Sequence, residues 1–125
     1  MIFIIGGAYQ GKTSFADKNF SDTHKIINHY HEEIRFQMKN GKEPLEEAKR
    51  LLLSEDKLVI ICDEVGNGLV PVDAFERAYR EQVGRVGGYL AGQAEQVIRV
   101  ICGIGKNIKS HNRATCTVRK GKSNR

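Results

Sequence analysis

The chain opens on an apolar run, Ile2 to Ile5, that stops at Gly6 and Gly7. A short continuous apolar run ending in glycine reads as a strand buried on both faces. Comparable runs recur as "KIIN" at 25–28, "KLVIIC" at 57–62 and "QVIRVIC" at 96–102, the last followed by "GIGKNIK". Between the strands the apolar period lengthens to that of a helix. One helix is expected from Lys12 to about Phe20, and a second from about Tyr30, where Ile27, His31, Ile34 and Met38 share a face until Asn40-Gly41 stops the pattern. Pro44 opens a third, "PLEEAKRLLLSE", with Leu45, Ala48 and Leu52 on one side. Asp73 and Glu76 match a capping box before "AFERAYREQVGRVGGYLAGQAE", whose Phe75, Tyr79, Val83, Val86 and Leu90 form an apolar stripe. Strands alternating with helices imply an α/β fold, a three-layer αβα arrangement around a mainly parallel sheet, with ligands gathering at the carboxyl ends of the strands.

Length and composition allow one domain. At 125 residues, 40% hydrophobic and 28% charged, the chain can bury a single core. Its apolar runs are too short to span a bilayer and the first has no basic leader, so a cytoplasmic protein is expected, with no membrane partner. Three cysteines without a C-x-x-C pair give neither a disulfide framework nor a zinc site. Cys62 and Cys102 close apolar strands and are expected in the core, whereas Cys116 falls in a polar tail.

Charge changes the picture only at one end. No Asp or Glu follows Glu95, while 106–125 holds seven Lys or Arg, which leaves 13 basic against 15 acidic residues in 1–105. The net +5 therefore belongs to a basic C-terminal tail, 110–125, appended to a body at 1–109. Nucleic acid is not expected as a partner, because the body carries no basic patch.

The chemistry is concentrated after the first strand. Gly6, Gly7, Ala8, Tyr9, Gln10, Gly11, Lys12 and Thr13 spell the G-x-x-x-x-G-K-[ST] phosphate-binding loop. Glycines let successive backbone N–H groups converge on a polyphosphate, and the helix beginning at Gly11 adds free amides and the positive end of its dipole. Lys12 supplies a point charge and Thr13 an oxygen for Mg²⁺. Asp63 and Glu64, directly after the third apolar strand, stand where such proteins keep a carboxylate for the metal. Asp63 is the expected metal partner, and Glu64 a candidate to orient or deprotonate an accepting hydroxyl.

Together, "GGAYQGKTSFA", "ICDEVGNGLVP", "FERAYREQVGRV" and "ICGIGKNIK" resemble the adenosylcobinamide kinase / adenosylcobinamide-phosphate guanylyltransferase family of cobalamin biosynthesis. The resemblance covers 1–20 and roughly 57–109. It implies a RecA-like P-loop domain that uses ATP or GTP with Mg²⁺ to phosphorylate a corrinoid hydroxyl, that of adenosylcobinamide. A second reaction, transfer of GMP through a guanylyl-histidine, is implied as well, and so is a homo-oligomer. It also places Arg85, within the R-x-x-x-G-R of Arg80 to Arg85, among the nucleotide-binding residues. For the histidine, His31 lies four residues before Arg35 as the family spacing requires, and His29 is the other choice.

The chain departs from the family pattern in its middle. It has no tryptophan, Glu32 and Glu33 stand in what should be a basic neighbourhood, and "GKEPLEEAKRLLLSED" replaces a further strand. Gly84, Gly87, Gly88 and Gly92 interrupt the long helix, each costing about 0.5–1 kcal/mol relative to Ala, so close packing against another helix or subunit is expected there. The alternative to a kinase and guanylyltransferase is a nucleotide-binding regulator or another small-metabolite kinase on the same scaffold.

Overall fold

The computed structural model describes residues 1–64 and 73–109, and these residues form five strands and four helices. The strands are β1 (Ile2–Gly6), β2 (Lys25–Ile27), β3 (Leu58–Asp63), β4 (Gln96–Ile101) and β5 (Ile104–Lys109). The helices are α1 (Lys12–Phe20), α2 (Tyr30–Lys39), α3 (Pro44–Ser54) and α4 (Ala74–Gln93). One sheet holds all five strands in the order β2-β3-β1-β4-β5, parallel except for β5.

Alternation along the strands builds two cores. Phe3, Leu58, Ile60, Cys62 and Val97 face α2, α3 and α4, where Tyr30, Ile34, Ala48, Tyr79, Val83, Val86 and Leu90 are buried. Ile2, Ile4, Val59, Ile61, Ile98 and Val100 face the other way, onto Ala16 of α1 with Phe15 and Phe20 beside it. Helices therefore cover both faces, and each fully buried aliphatic side chain contributes about 1.5–3 kcal/mol to that closure. The stripe expected on α4 is the one it buries, with Phe75 at its partly exposed start.

Register sets the functional edge. β1 and β3 pair from Ile2↔Val59 to Gly6↔Asp63, so the start of the glycine-rich loop and the carboxylate that ends β3 lie level with each other. The chain leaves β1 through α1 toward β2, and leaves β3 through α4 toward β4, on opposite sides. That reversal opens a crevice beyond the strand ends, the usual ligand position in an open α/β sheet.

Four expectations change. β5 is a strand of its own, joined to β4 by Cys102 and Gly103, which both take positive φ (50° and 77°) as a two-residue type I′ hairpin turn requires. That turn leaves Cys102 exposed, while Cys62 is buried as expected. The capping box is half formed: Asp73 accepts from the backbone N–H of Phe75 and Glu76, but the Glu76 side chain turns to Arg35 of α2. Among the described residues, a Cβ placed on Gly84, Gly87, Gly88 or Gly92 would meet nothing within 4 Å, so no close helix contact explains these glycines. The segment 65–72, which carries most of the E-V-G-x-G-x-V-P resemblance, and the tail at 110–125 lie outside the described residues.

Candidate functional site

The glycine-rich loop curls because its backbone enters the left-handed region twice, at Tyr9 (φ 62°) and Gly11 (φ 87°). Gly6 is needed for a different reason. A Cβ there would sit 2.6 Å from the Val100 carbonyl oxygen of the neighbouring strand, which no backbone can yield. Gly11 begins α1 without any side chain capping it, so the first-turn amides remain available to an anion. The β4–β5 hairpin supports the loop from below: Gln10 accepts the Gly103 N–H on its carbonyl (2.8 Å) and the Cys102 N–H on its Oε1 (2.7 Å).

Lys12 is 6% exposed, and its Nζ donates to the Gly7 carbonyl at 2.6 Å and pairs with Asp63 Oδ1 at 2.7 Å. A buried ammonium needs such partners, and the same two oxygens hold it in place beneath the loop amides. Thr13 is exposed, and its hydroxyl donates to Asn28 Oδ1 at 3.0 Å. Ala8, Tyr9, Gly11, Lys12, Thr13, Asn28, His29, His31 and Asp63 line one cavity of about 420 Å³. Its oxygen donors, the Thr13 hydroxyl and the Asp63 carboxylate, suit a hard cation such as Mg²⁺.

His31 begins α2 buried, at 8% exposure. Its Nδ1 accepts the Asp63 backbone N–H at 3.1 Å, its Nε2 lies 3.5 Å from Asp63 Oδ2, and its carbonyl accepts the Tyr79 hydroxyl at 3.1 Å. Burial holds the His31 pKa below the ordinary histidine value, against the upward pull of Asp63 and Glu32. With Nδ1 accepting, the proton of the neutral ring resides on Nε2. His29, His31 and Asp63 bring ligand atoms within 4.8 Å of one another, yet in this tautomer His31 has no spare lone pair for a metal or for attack on phosphorus. His29, exposed and in the left-handed region (φ 53°), packs edge-on to His31 with ring centroids 5.6 Å apart.

Other expected residues lie elsewhere. Glu64 is fixed by its N–H to the Gly6 carbonyl (2.8 Å) and by a two-point pair with Arg99 (3.1 and 3.2 Å), and it lines the neighbouring cavity under α4 instead. Arg85 is not brought to the loop. The α4 stripe that turns Val83 and Val86 inward turns Arg85 outward, where it faces Glu81 at 3.8 Å. Arg35 clamps α2 to α4: its guanidinium bonds both Glu76 oxygens (2.6 and 3.2 Å) and covers the Tyr79 ring at 4.0 Å. Asn28 belongs to no motif, and only its place after β2, at the strand end, could have marked it.

The geometry can be set beside known proteins. The bifunctional adenosylcobalamin biosynthesis protein CobU of Salmonella typhimurium (strain LT2) is 43% identical over 53 residues, 42% of this chain and 29% of the relative. The protein of the same name from Escherichia coli (strain K12) matches with the same identity and the same coverage. The match thus spans less than a third of the length of these curated relatives. Among the described residues, no helix is long and apolar enough to cross a membrane. A family model, cobinamide kinase / cobinamide phosphate guanyltransferase, matches residues 23–108. That match begins after α1, so the phosphate-loop motif is an observation independent of it. Since it takes in more than half of the sequence, the chain belongs to the cobinamide kinase / cobinamide phosphate guanyltransferase family.

Proposed function

We propose that this chain is a RecA-like P-loop kinase of cobalamin biosynthesis that transfers the γ-phosphoryl group of ATP or GTP to a hydroxyl of a corrinoid, adenosylcobinamide. The observation that carries the reading is the meeting of Lys12 and Asp63 at 2.7 Å beside the glycine-rich loop and the uncapped start of α1. In-line phosphoryl transfer asks a protein for little beyond position and charge: the acceptor hydroxyl oxygen bonds to the γ-phosphorus and its proton passes to a transferred phosphoryl oxygen or to solvent, while the bond from the γ-phosphorus to the β–γ bridging oxygen breaks and a nucleoside diphosphate departs. The loop and α1 amides bind the phosphates, and Lys12 exchanges the Gly7 carbonyl and Asp63 for phosphate oxygens. Thr13 and Asp63 would hold Mg²⁺, which would supply neutralisation of phosphate charge. Asp63 is itself held by the His31 contact to its backbone.

Guanylyl transfer is the second activity of the family, and we place it second here. It needs an imidazole nitrogen with a free lone pair and an open approach. His31 meets that requirement only after releasing the Asp63 N–H, whereas His29 is exposed at the same cavity. The experiment incubates the purified protein with ATP or GTP and Mg²⁺, with and without adenosylcobinamide. Corrinoid phosphate is the expected product, and a protein mass increase of one GMP, lost in His29→Ala or His31→Ala, would establish the second reaction and its residue. Tight triphosphate binding with no corrinoid turnover would favour a nucleotide-dependent regulator instead.

A further inference from the structure

Asn28 sits one residue beyond β2 and accepts two hydrogen bonds on one oxygen: from the Thr13 hydroxyl at 3.0 Å and from the His29 backbone N–H at 3.0 Å. The second bond fixes the amide, because a backbone N–H can face only the oxygen and never the NH₂ group. Its orientation toward Thr13 is therefore decided locally. A threonine hydroxyl has one proton and two lone pairs, and with the proton committed to Asn28 both lone pairs are left for the cavity that the two residues line. A hydroxyl that gives a lone pair to a cation also becomes a stronger donor, so it needs an acceptor on its far side.

We propose that Asn28 is a positioning residue for metal–nucleotide binding: it accepts the Thr13 proton and so aims the Thr13 oxygen at the cation. The inference rests on the cavity being a metal–triphosphate site. Oxygen ligands are held in this manner by outer partners in metal centres generally. Thr13 lies in the first turn of α1 and Asn28 in the connection from β2 to α2, so the bond also sets α1 against the approach to α2. It is an exposed bond between neutral groups, and such bonds contribute little to folding, so Asn28→Ala is expected to fold.

The test is calorimetric titration of the full chain with the β,γ-imido analogue of GTP, once with saturating Mg²⁺ and once with EDTA. Asn28→Ala should weaken Mg²⁺-dependent binding by about 10- to 100-fold while leaving metal-free binding within about twofold. Asn28→Asp, which keeps an acceptor at the same place, should restore most of that loss. In a Thr13→Val background, where no proton remains to be accepted, Asn28→Ala should cost nothing further. Equal losses with and without metal, or no loss in either, would overturn the assignment while leaving the phosphate loop standing. A wild-type protein that binds no triphosphate under either condition would remove the loop reading and this inference together.

Discussion

Two cavities flank the carboxyl end of β3, and consecutive residues serve them differently. Asp63 borders both, but its carboxylate meets Lys12 and His31 in the one between the glycine-rich loop and α2, of about 420 Å³. Glu64 borders the one under α4, of about 520 Å³, where its carboxylate is tied to Arg99. The second is larger and lined mostly by Phe3, Ile5, Val83, Gly84, Gly87, Val97 and Ile108. Only the first gathers a buried ammonium, a carboxylate, a hydroxyl and uncapped helix amides around one space. Volume does not make a phosphate site. Convergence of charged and polar groups that the fold has already desolvated does.

If that contrast is right, damage to the two cavities should have unequal effects. Lys12→Ala should have the largest, lowering phosphoryl transfer by about 10²- to 10³-fold, as expected for one preorganised charge, with the circular dichroism of the fold unchanged. Wild-type turnover in that variant would break the comparison outright. Asp63→Asn should lower turnover by about 10²-fold and also do something less obvious. Freed from its anion, Lys12 should bind metal-free triphosphate about tenfold more tightly, the equivalent of one charge-assisted bond of ~1.4 kcal/mol. Calorimetry in EDTA reads this directly, and weaker binding there would show that the Lys12–Asp63 pair does not compete with phosphate.

Across the divide, Glu64→Gln removes a half-exposed pair with Arg99 and should move stability by less than about 1 kcal/mol in thermal melts. Turnover measured alongside sharpens the comparison, since a loss as deep as that of Lys12→Ala would return Glu64 to the chemistry. The smallest effect lies at the far end of α2. The Arg35 guanidinium, through its hydrogen bonds, holds the Glu76 carboxyl below its ordinary 4.5. A depressed carboxylate pKa contributes stability above the unfolded value and loses it as pH falls through the folded one, because the unfolded chain takes up the proton first. Glu76→Gln should therefore flatten the loss of melting temperature below about pH 4.5 while leaving nucleotide binding alone.

Sequence pattern carried far where the physics is local. The glycine-rich loop, the starts of all four helices, and four strand cores could be read from glycine spacing, Pro44, Asp73 and apolar period, because each depends on neighbours within a few residues. β5 could not be read in this way. Its turn uses Cys102 at a left-handed position usually given to Asn or Gly, and half of its positions are polar because it is an edge strand. Glu76 was legible as a capping partner, yet the guanidinium of Arg35, 41 residues away, offered it two bonds.

What the chain determined by itself is the list of candidate groups and the loop that presents them, since an N–H concavity, a helix start and a lysine are expected from eight consecutive residues, Gly6 to Thr13. Which groups meet was decided only by the tertiary structure. The parallel register of β1 with β3 sets Asp63 beside Lys12, the start of α2 brings Asn28 and His31 under them, and helix rotation sends Arg85 outward. These are contacts between residues far apart in sequence, fixed by how strand pairing and core burial close the sheet, and no local pattern encodes them.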